Sequence, residues 1–102
     1  MKKLKIKICG IKDISILSYC ESLYIDYCGL VFFKKSPRNV DIEKAKHIIN
    51  YGKKLKISPV GVFFNHEIND LINIIYNTKL KVIQLHGSEN NDYIIKLKEK
   101  NN

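Results

Sequence analysis

The sequence predicts an α/β protein with a parallel sheet, built from four consecutive βα units that form a single domain over residues 1–102. Three observations lead to this fold class. Short apolar runs of strand length alternate four times with segments of helical periodicity. The run YCGLVFF at 27–33 is almost continuously apolar, which is typical of a strand buried on both faces of a parallel sheet. No linker or low-complexity stretch divides the chain, and its length suits one modest domain.

The first unit consists of a strand at 4–9, LKIKIC, and a helix at 13–24. Asp13 is a suitable N-cap, because its side chain can accept a hydrogen bond from the first helical turn. The apolar residues of this helix recur near helical spacing: Ile14, Leu17, Cys20 and Leu23. They give the helix one face with which to cover the sheet.

The second unit joins the strand at 27–33 to a helix at 41–52 through the loop KKSPRNV. Asp41 is the expected N-cap, and Gly52 is the expected end of the helix. Its apolar face contains Ile42, Ala45, Ile48 and Ile49.

The third unit has a strand at 57–64 and a helix at 67–77, for which Asn65 is the expected N-cap. The fourth has a strand at 81–87, and the segment from residue 89 onwards is expected to form an amphipathic helix that frays at its polar end. Right-handed crossovers are expected throughout. Periodicity alone leaves two architectures open, a flavodoxin-like open sheet and part of a (β/α)8 barrel.

Composition excludes several classes of function. No apolar run is long enough for a membrane span, and the lysine-rich start alternates charged with apolar residues, so we expect a soluble cytoplasmic protein. The net charge of +8 is spread along the chain without a basic cluster, which favours a solvated surface over nucleic-acid binding. Three cysteines at wide spacings predict neither a disulfide framework nor a metal site.

In both architectures ligands bind at the carboxyl ends of the strands, where Cys9 ends the first strand. A thiol beside Lys7 and Lys12 could act as a nucleophile or general base, because nearby positive charge favours the thiolate. The alternative is that Cys9 is a small apolar residue, as expected for Cys20 and Cys28.

Three further residues lie at strand ends. Arg38 is the only arginine of the chain, and its planar, permanently charged fork suits recognition of a carboxylate or phosphate; a surface ion pair is the alternative. Gln84 and His86 alternate along the last strand and therefore face the same side, where they contact either a ligand or the core. Four acidic residues also lie near strand ends, but helix starts favour acids for capping alone: Asp13, Asp41, Glu67 and Glu89.

Four segments together resemble the N-terminal half of the phosphoribosylanthranilate isomerase family: KIKICGIKD, GLVFFKKSPRNV, PVGVFFN and VIQLHGSE. They occur in family order and cover almost the whole chain. The resemblance implies a half-barrel of four βα units from a (β/α)8 barrel, and a cofactor-free Amadori rearrangement of N-(5-phosphoribosyl)anthranilate in tryptophan biosynthesis. It implies that Cys9 is the general base, that Arg38 binds the anthranilate carboxylate, and that Gln84 and His86 line the pocket.

The resemblance also implies what this chain lacks. The family's general acid lies on the sixth strand and its phosphate-binding loops follow the seventh and eighth. We therefore expect a homo-oligomer or a complementing C-terminal half-barrel to close the open sheet, or else repacking of the four units into a flavodoxin-like sheet. The alternatives are a module that binds anthranilate or a phosphosugar without turnover, and an inactive remnant.

Overall fold

The fold is known from a computed structural model, which describes residues 4–100. It contains the four predicted βα units. In chain order the elements are β1 Lys7–Cys9, α1 Ile14–Ser22, β2 Tyr27–Val31, α2 Ile42–Lys54, β3 Ser58–Phe63, α3 Ile68–Thr78, β4 Ile83–Leu85 and α4 Asn91–Lys100. The strands are shorter than the apolar runs that predicted them. The expected fraying of the last helix falls on residues 101 and 102, which lie outside the described part of the chain.

The sheet decides between the two architectures. Its strands are all parallel and run in the order β1-β2-β3-β4. Each helix packs against the next, so the four helices lie together on one face. A flavodoxin-like sheet has a non-sequential strand order and helices on both faces, whereas sequential order with one helical layer is that of a (β/α)8 barrel. No helix within 4–100 is both long and apolar enough to cross a bilayer.

The hydrophobic core lies between the helices and the convex face of the sheet. Phe32 and Phe63 stack there, with ring centroids 5.3 Å apart. The largest fully buried side chains come from two strands, β2 and β3, and from the first three helices: Leu17, Cys28, Leu30, Ile48, Phe63 and Leu71. The opposite, concave face is therefore free to bind a ligand.

Two of the three predicted helix caps are confirmed. The Asp13 carboxylate accepts a hydrogen bond from the Ser15 amide at 3.0 Å, and the Asp41 carboxylate accepts one from the Lys44 amide at 2.8 Å. The Ser15 hydroxyl also donates to Asp13, and this bond lowers the pKa of the Asp13 carboxyl.

The prediction of Asn65 as the third cap is wrong. Glu67 caps α3, accepting from the Asp70 amide at 3.2 Å. Asn65 has a φ of 53°, and its side chain instead accepts a hydrogen bond from the Ser88 amide at 2.9 Å. The Asn65 side chain therefore bonds to the loop after β4 and not to the first turn of α3.

The predicted end of α2 at Gly52 is also wrong, since the helix continues to Lys54. The Gly52 carbonyl accepts hydrogen bonds from the amides of Leu55 and Ile57, both at 3.0 Å. These bonds close the helix two residues after the glycine, so the chain turns only at Leu55.

Core burial predicts loss of stability at alkaline pH. Burial, with a smaller effect of Cys20, raises the pKa of the Cys28 thiol from 9.0 to about 11. The unfolded chain therefore releases this proton first, and the free energy of unfolding should fall by on the order of 2 kcal/mol as the pH rises through that interval. Urea denaturation measured from pH 8 to 11 tests this.

In Cys28→Ala the part of the decrease in the free energy of unfolding that comes from this thiol should disappear. Leu30→Val, a truncation on the same strand and face that leaves the thiol in place, should keep it. An equal slope in wild type and Cys28→Ala would contradict the assignment.

Candidate active site

The concave face of the sheet forms an open pocket of about 530 Å³ at the carboxyl ends of the strands. Its apolar lining is Val31, Phe33, Val62 and Phe64. Its polar lining is Lys7, Cys9, Ser36, Arg38, Gln84 and His86. The structure thus brings the four residues predicted from the sequence, Cys9, Arg38, Gln84 and His86, to one pocket.

Cys9 is the last residue of β1, and its thiol is free and exposed. It pairs in register with Gly29 of β2. A Cβ atom at position 29 would lie 2.9 Å from the Cys9 sulfur and 3.0 Å from the Cys9 Cα, closer than such contacts normally are. The glycine therefore makes room for the thiol on the concave face.

The other two cysteines are placed differently. Cys20 and Cys28 are buried in the core on the helical side, and burial raises the pKa of both thiols. They remain protonated and fit the expected role of small apolar residues.

Arg38 lies in the loop after β2, which is held by short-range hydrogen bonds. The Arg38 amide donates to the Ser36 hydroxyl at 3.1 Å, and the Lys12 ammonium donates to the Pro37 carbonyl at 2.8 Å. The arginine side chain crosses Gly10, where any Cβ would collide with it; Gly10 also has a φ of +84°, which disfavours other residues. The loops after β1 and β2 are thus packed together, with the guanidinium at the pocket rim.

Gln84 and His86 point to the pocket from the opposite edge of the sheet, while Leu85 between them packs beneath α4. Gln84 is half-buried, and its side-chain oxygen accepts a hydrogen bond from the Lys7 ammonium of β1. His86 is exposed on the rim, and its backbone amide donates to the Phe63 carbonyl at 2.8 Å.

His66 lies outside this pocket and connects loops instead. Its Nδ1 accepts from the Phe64 amide at 3.2 Å, so Nε2 carries the proton and donates to the Phe32 carbonyl at 3.1 Å. The Tyr93 hydroxyl donates to the His66 carbonyl at 2.8 Å. These bonds join the ends of β2 and β3 to α4.

Glu89 also connects loops and does not line the pocket. One carboxylate oxygen accepts from the Asn65 amide at 2.8 Å, and the other accepts from the Gly87 amide at 2.9 Å. The side chain therefore bridges the loops after β3 and β4. None of the four acidic residues noted near strand ends lines the pocket, and three of them cap helices: Asp13, Asp41 and Glu67.

The pocket has an excess of positive charge. Lys7 and Arg38 line it without a carboxylate, and the one ion pair within 4–100 joins Lys46 to Glu43 elsewhere, at 3.7 Å. An anionic ligand would balance these charges. Over the same residues no cluster of three metal-ligating side chains occurs.

Two features of the pocket escaped the sequence analysis. Lys7, on β1, donates a hydrogen bond to Gln84, on β4, across the whole sheet. The signal for its place in the pocket was that Lys7 and Cys9 are two residues apart on one strand and therefore face the same side. Phe33 and Phe64 form an aromatic pair with centroids 5.0 Å apart. Their positions at the ends of two apolar runs were the available signal for this pair.

Comparison with known proteins identifies the family. The sequence model of the N-(5'phosphoribosyl)anthranilate (PRA) isomerase family matches residues 6–102. The chain belongs to the phosphoribosylanthranilate isomerase family. The isomerase of Clostridium acetobutylicum is 40% identical over 97 residues, which cover 93% of this chain and 45% of that protein.

Solved structures agree with this assignment. Monomers generated from the dimeric isomerase of Thermotoga maritima superpose with a TM-score of 0.83 at 32% identity, over 96% of this chain and 50% of that one. An isomerase in complex with reduced 1-(o-carboxyphenylamino)-1-deoxyribulose 5-phosphate gives 0.83 at 30% identity, over 96% and 50%. The four βα units match half of the family's barrel, and the chain spans about half the length of its relatives.

The Glu89 bridge gives a stability prediction. Glu89→Gln would place an amide NH₂ against one of the two backbone N–H groups, so one hydrogen bond to a charged acceptor is lost, at a cost of about 1 kcal/mol for these exposed and half-buried amides. Urea denaturation measures the loss of stability, and hydrogen exchange should become faster at Asn65 or Gly87, whichever amide loses its acceptor.

Glu99→Gln, at an exposed position on α4, is the matched control and should remain as stable as wild type. Equal stability of both variants, with unchanged exchange at Asn65 and Gly87, would show that the bridge does not hold the loops.

Proposed function

We propose that this chain supplies the substrate-binding wall and the general base of a phosphoribosylanthranilate isomerase, which performs the Amadori rearrangement of N-(5-phosphoribosyl)anthranilate. The observation that carries the proposal is the meeting of the Cys9 thiol and the Arg38 guanidinium on one concave face. Cys9 ends β1 and Arg38 lies in the loop after β2, and the Arg38 side chain packs on Gly10, the residue after Cys9.

Four pocket residues have assigned roles in this proposal. After the sugar ring opens to a Schiff base, the Cys9 thiolate removes the proton from C2, and the electron pair moves toward the imine nitrogen to give the enolamine. Arg38 binds the anthranilate carboxylate with its planar fork. Gln84 and His86 contact the substrate from the other edge of the sheet, and no cofactor is required.

The charge and shape of the pocket support this substrate class. The substrate carries a carboxylate and a phosphate, and the wall presents Lys7 and Arg38 without a carboxylate. The paired rings of Phe33 and Phe64 offer an apolar surface for an aromatic ring. A related isomerase binds the reduced form of the rearranged product.

Ring opening needs a general acid, and no carboxylate of the described chain lines the pocket. The sheet also has two open edges, and the outer βα units carry exposed apolar residues: Ile8 of β1 and Ile16 of α1 in the first unit, Val82 just before β4 and Ile95 of α4 in the last. Turnover therefore requires further βα units that cover these edges and supply the acid. A second copy of the chain or a complementing C-terminal half-barrel would meet the structural part of this requirement.

The second candidate function is binding without turnover. The same absence of an acid favours it, because the pocket can hold an anion through Arg38 without any step that needs proton donation.

An isomerase assay tests catalysis. The chain alone should show no turnover, and mixing it with the C-terminal four βα units of a relative should produce activity. Cys9→Ala should lower that activity by about 10² or more, because a general base contributes at least this factor. Cys20→Ala, which removes a thiol outside the pocket, should retain it. Equal activity of Cys9→Ala and wild type would rule out the assigned base.

Calorimetry with reduced 1-(o-carboxyphenylamino)-1-deoxyribulose 5-phosphate tests binding by the chain alone. Arg38→Ala should weaken it by about tenfold, since a charge-assisted bidentate bond is lost. Lys34→Ala removes an exposed cation of the same loop that does not line the pocket, and should leave affinity unchanged. Absence of binding by wild type would favour the inactive remnant.

A further inference from the structure

The function proposed above uses only the positive charge of Lys7, yet its side chain lines the pocket beside the assigned residues. It is half-buried on the concave face, and its ammonium donates a hydrogen bond to the side-chain oxygen of Gln84. The two residues are 77 positions apart and lie on the two edge strands, β1 and β4. Within residues 4–100 Lys7 forms no ion pair.

The chemistry of the two groups fixes the direction of the Gln84 amide. A lysine ammonium has three donors and no acceptor, whereas a glutamine amide has an acceptor oxygen at one end and a donor nitrogen at the other. Only the oxygen can face Lys7. The NH₂ group must then point away from Lys7, and it is left to donate to whatever occupies the pocket.

We propose that Lys7 is a positioning residue that holds the Gln84 oxygen, so that Gln84 presents its NH₂ group as a donor to a carboxylate, phosphate or hydroxyl oxygen of the ligand. Without Lys7 the amide can rotate and present either end. The inference rests on the proposed function for the class of ligand, but the orientation of the amide does not depend on it.

Two other roles for Lys7 make different predictions. As a strut between the sheet edges, Lys7 would affect stability without affecting binding. As a direct ligand contact, it would contribute to affinity whether or not Gln84 is present. A double-mutant cycle separates positioning from direct contact, because only positioning makes the effect of Lys7 depend on Gln84.

The first experiment needs no ligand. In the NMR spectrum of the full chain, the two Gln84 side-chain N–H signals should be well resolved and order parameters should show a rigid amide. Lys7→Met should make this amide mobile, whereas Lys5→Met, an exposed lysine on the same face of the segment, should not. A Gln84 amide that is equally mobile in wild type and Lys7→Met would overturn the proposal even if the pocket binds its ligand.

The second experiment measures binding of reduced 1-(o-carboxyphenylamino)-1-deoxyribulose 5-phosphate by calorimetry. Lys7→Met should weaken binding about three- to tenfold, as expected for one hydrogen bond. Gln84→Glu keeps an acceptor for Lys7 but has no donor, and should weaken binding at least as much. In a Gln84→Ala background, Lys7→Met should have no further effect.

If Lys7→Met lowers the affinity by a similar factor in the Gln84→Ala background, positioning is contradicted and Lys7 contacts the ligand directly. Unchanged affinity of Lys7→Met, with lower stability, would assign it to the strut. If wild type binds no ligand at all while the amide experiment succeeds, the proposed function fails and the orientation of Gln84 by Lys7 stands.

Discussion

The curvature of the four-stranded sheet is the constraint on which the pocket depends. All four helices lie on one face, and the core between helices and sheet fixes that face as the convex one. The opposite face is concave, which brings the two edge strands close enough for Lys7 on β1 to bond Gln84 on β4. A flat sheet would separate these side chains, and no single pocket would form from Cys9, Arg38 and His86.

The convex face of the sheet packs against the hydrophobic core, and the concave face carries the candidate active site. Cys28 and Cys9 are the same residue type on neighbouring strands, yet the first is a buried, protonated core residue and the second an exposed thiol beside cations. Cys9 pairs in register with Gly29 and not with Cys28, so the two cysteines point to opposite faces of the sheet. Gly29 leaves the space that the Cys9 side chain needs. At the carboxyl ends of the strands, hydrogen bonds hold the loops together. The main example is the Glu89 side chain, which bridges the loops after β3 and β4.

The sequence was sufficient where interactions are local. The caps at Asp13 and Asp41 bond to amides within three residues and were predicted correctly. Asn65 was predicted from the same rule and failed, because its side chain bonds to Ser88, on a loop that only the folded sheet brings near. For the same reason, period-two alternation placed Gln84 and His86 on one face but could not reveal the bond from Lys7. The family resemblance gave the architecture that periodicity left open, and strand order agrees with it.

Half of a barrel is present here, and its concave wall is cationic, with an exposed thiol and no carboxylate among the lining residues. The central claim is that this wall faces an anionic aromatic amino sugar. Chemical-shift mapping of the wild-type chain with reduced 1-(o-carboxyphenylamino)-1-deoxyribulose 5-phosphate tests it most directly. The account predicts that the largest shifts fall at residues 9–10, 36–38 and 84–86. Shifts confined to the helices, or to the opposite end of the sheet around residues 79–82, would contradict it.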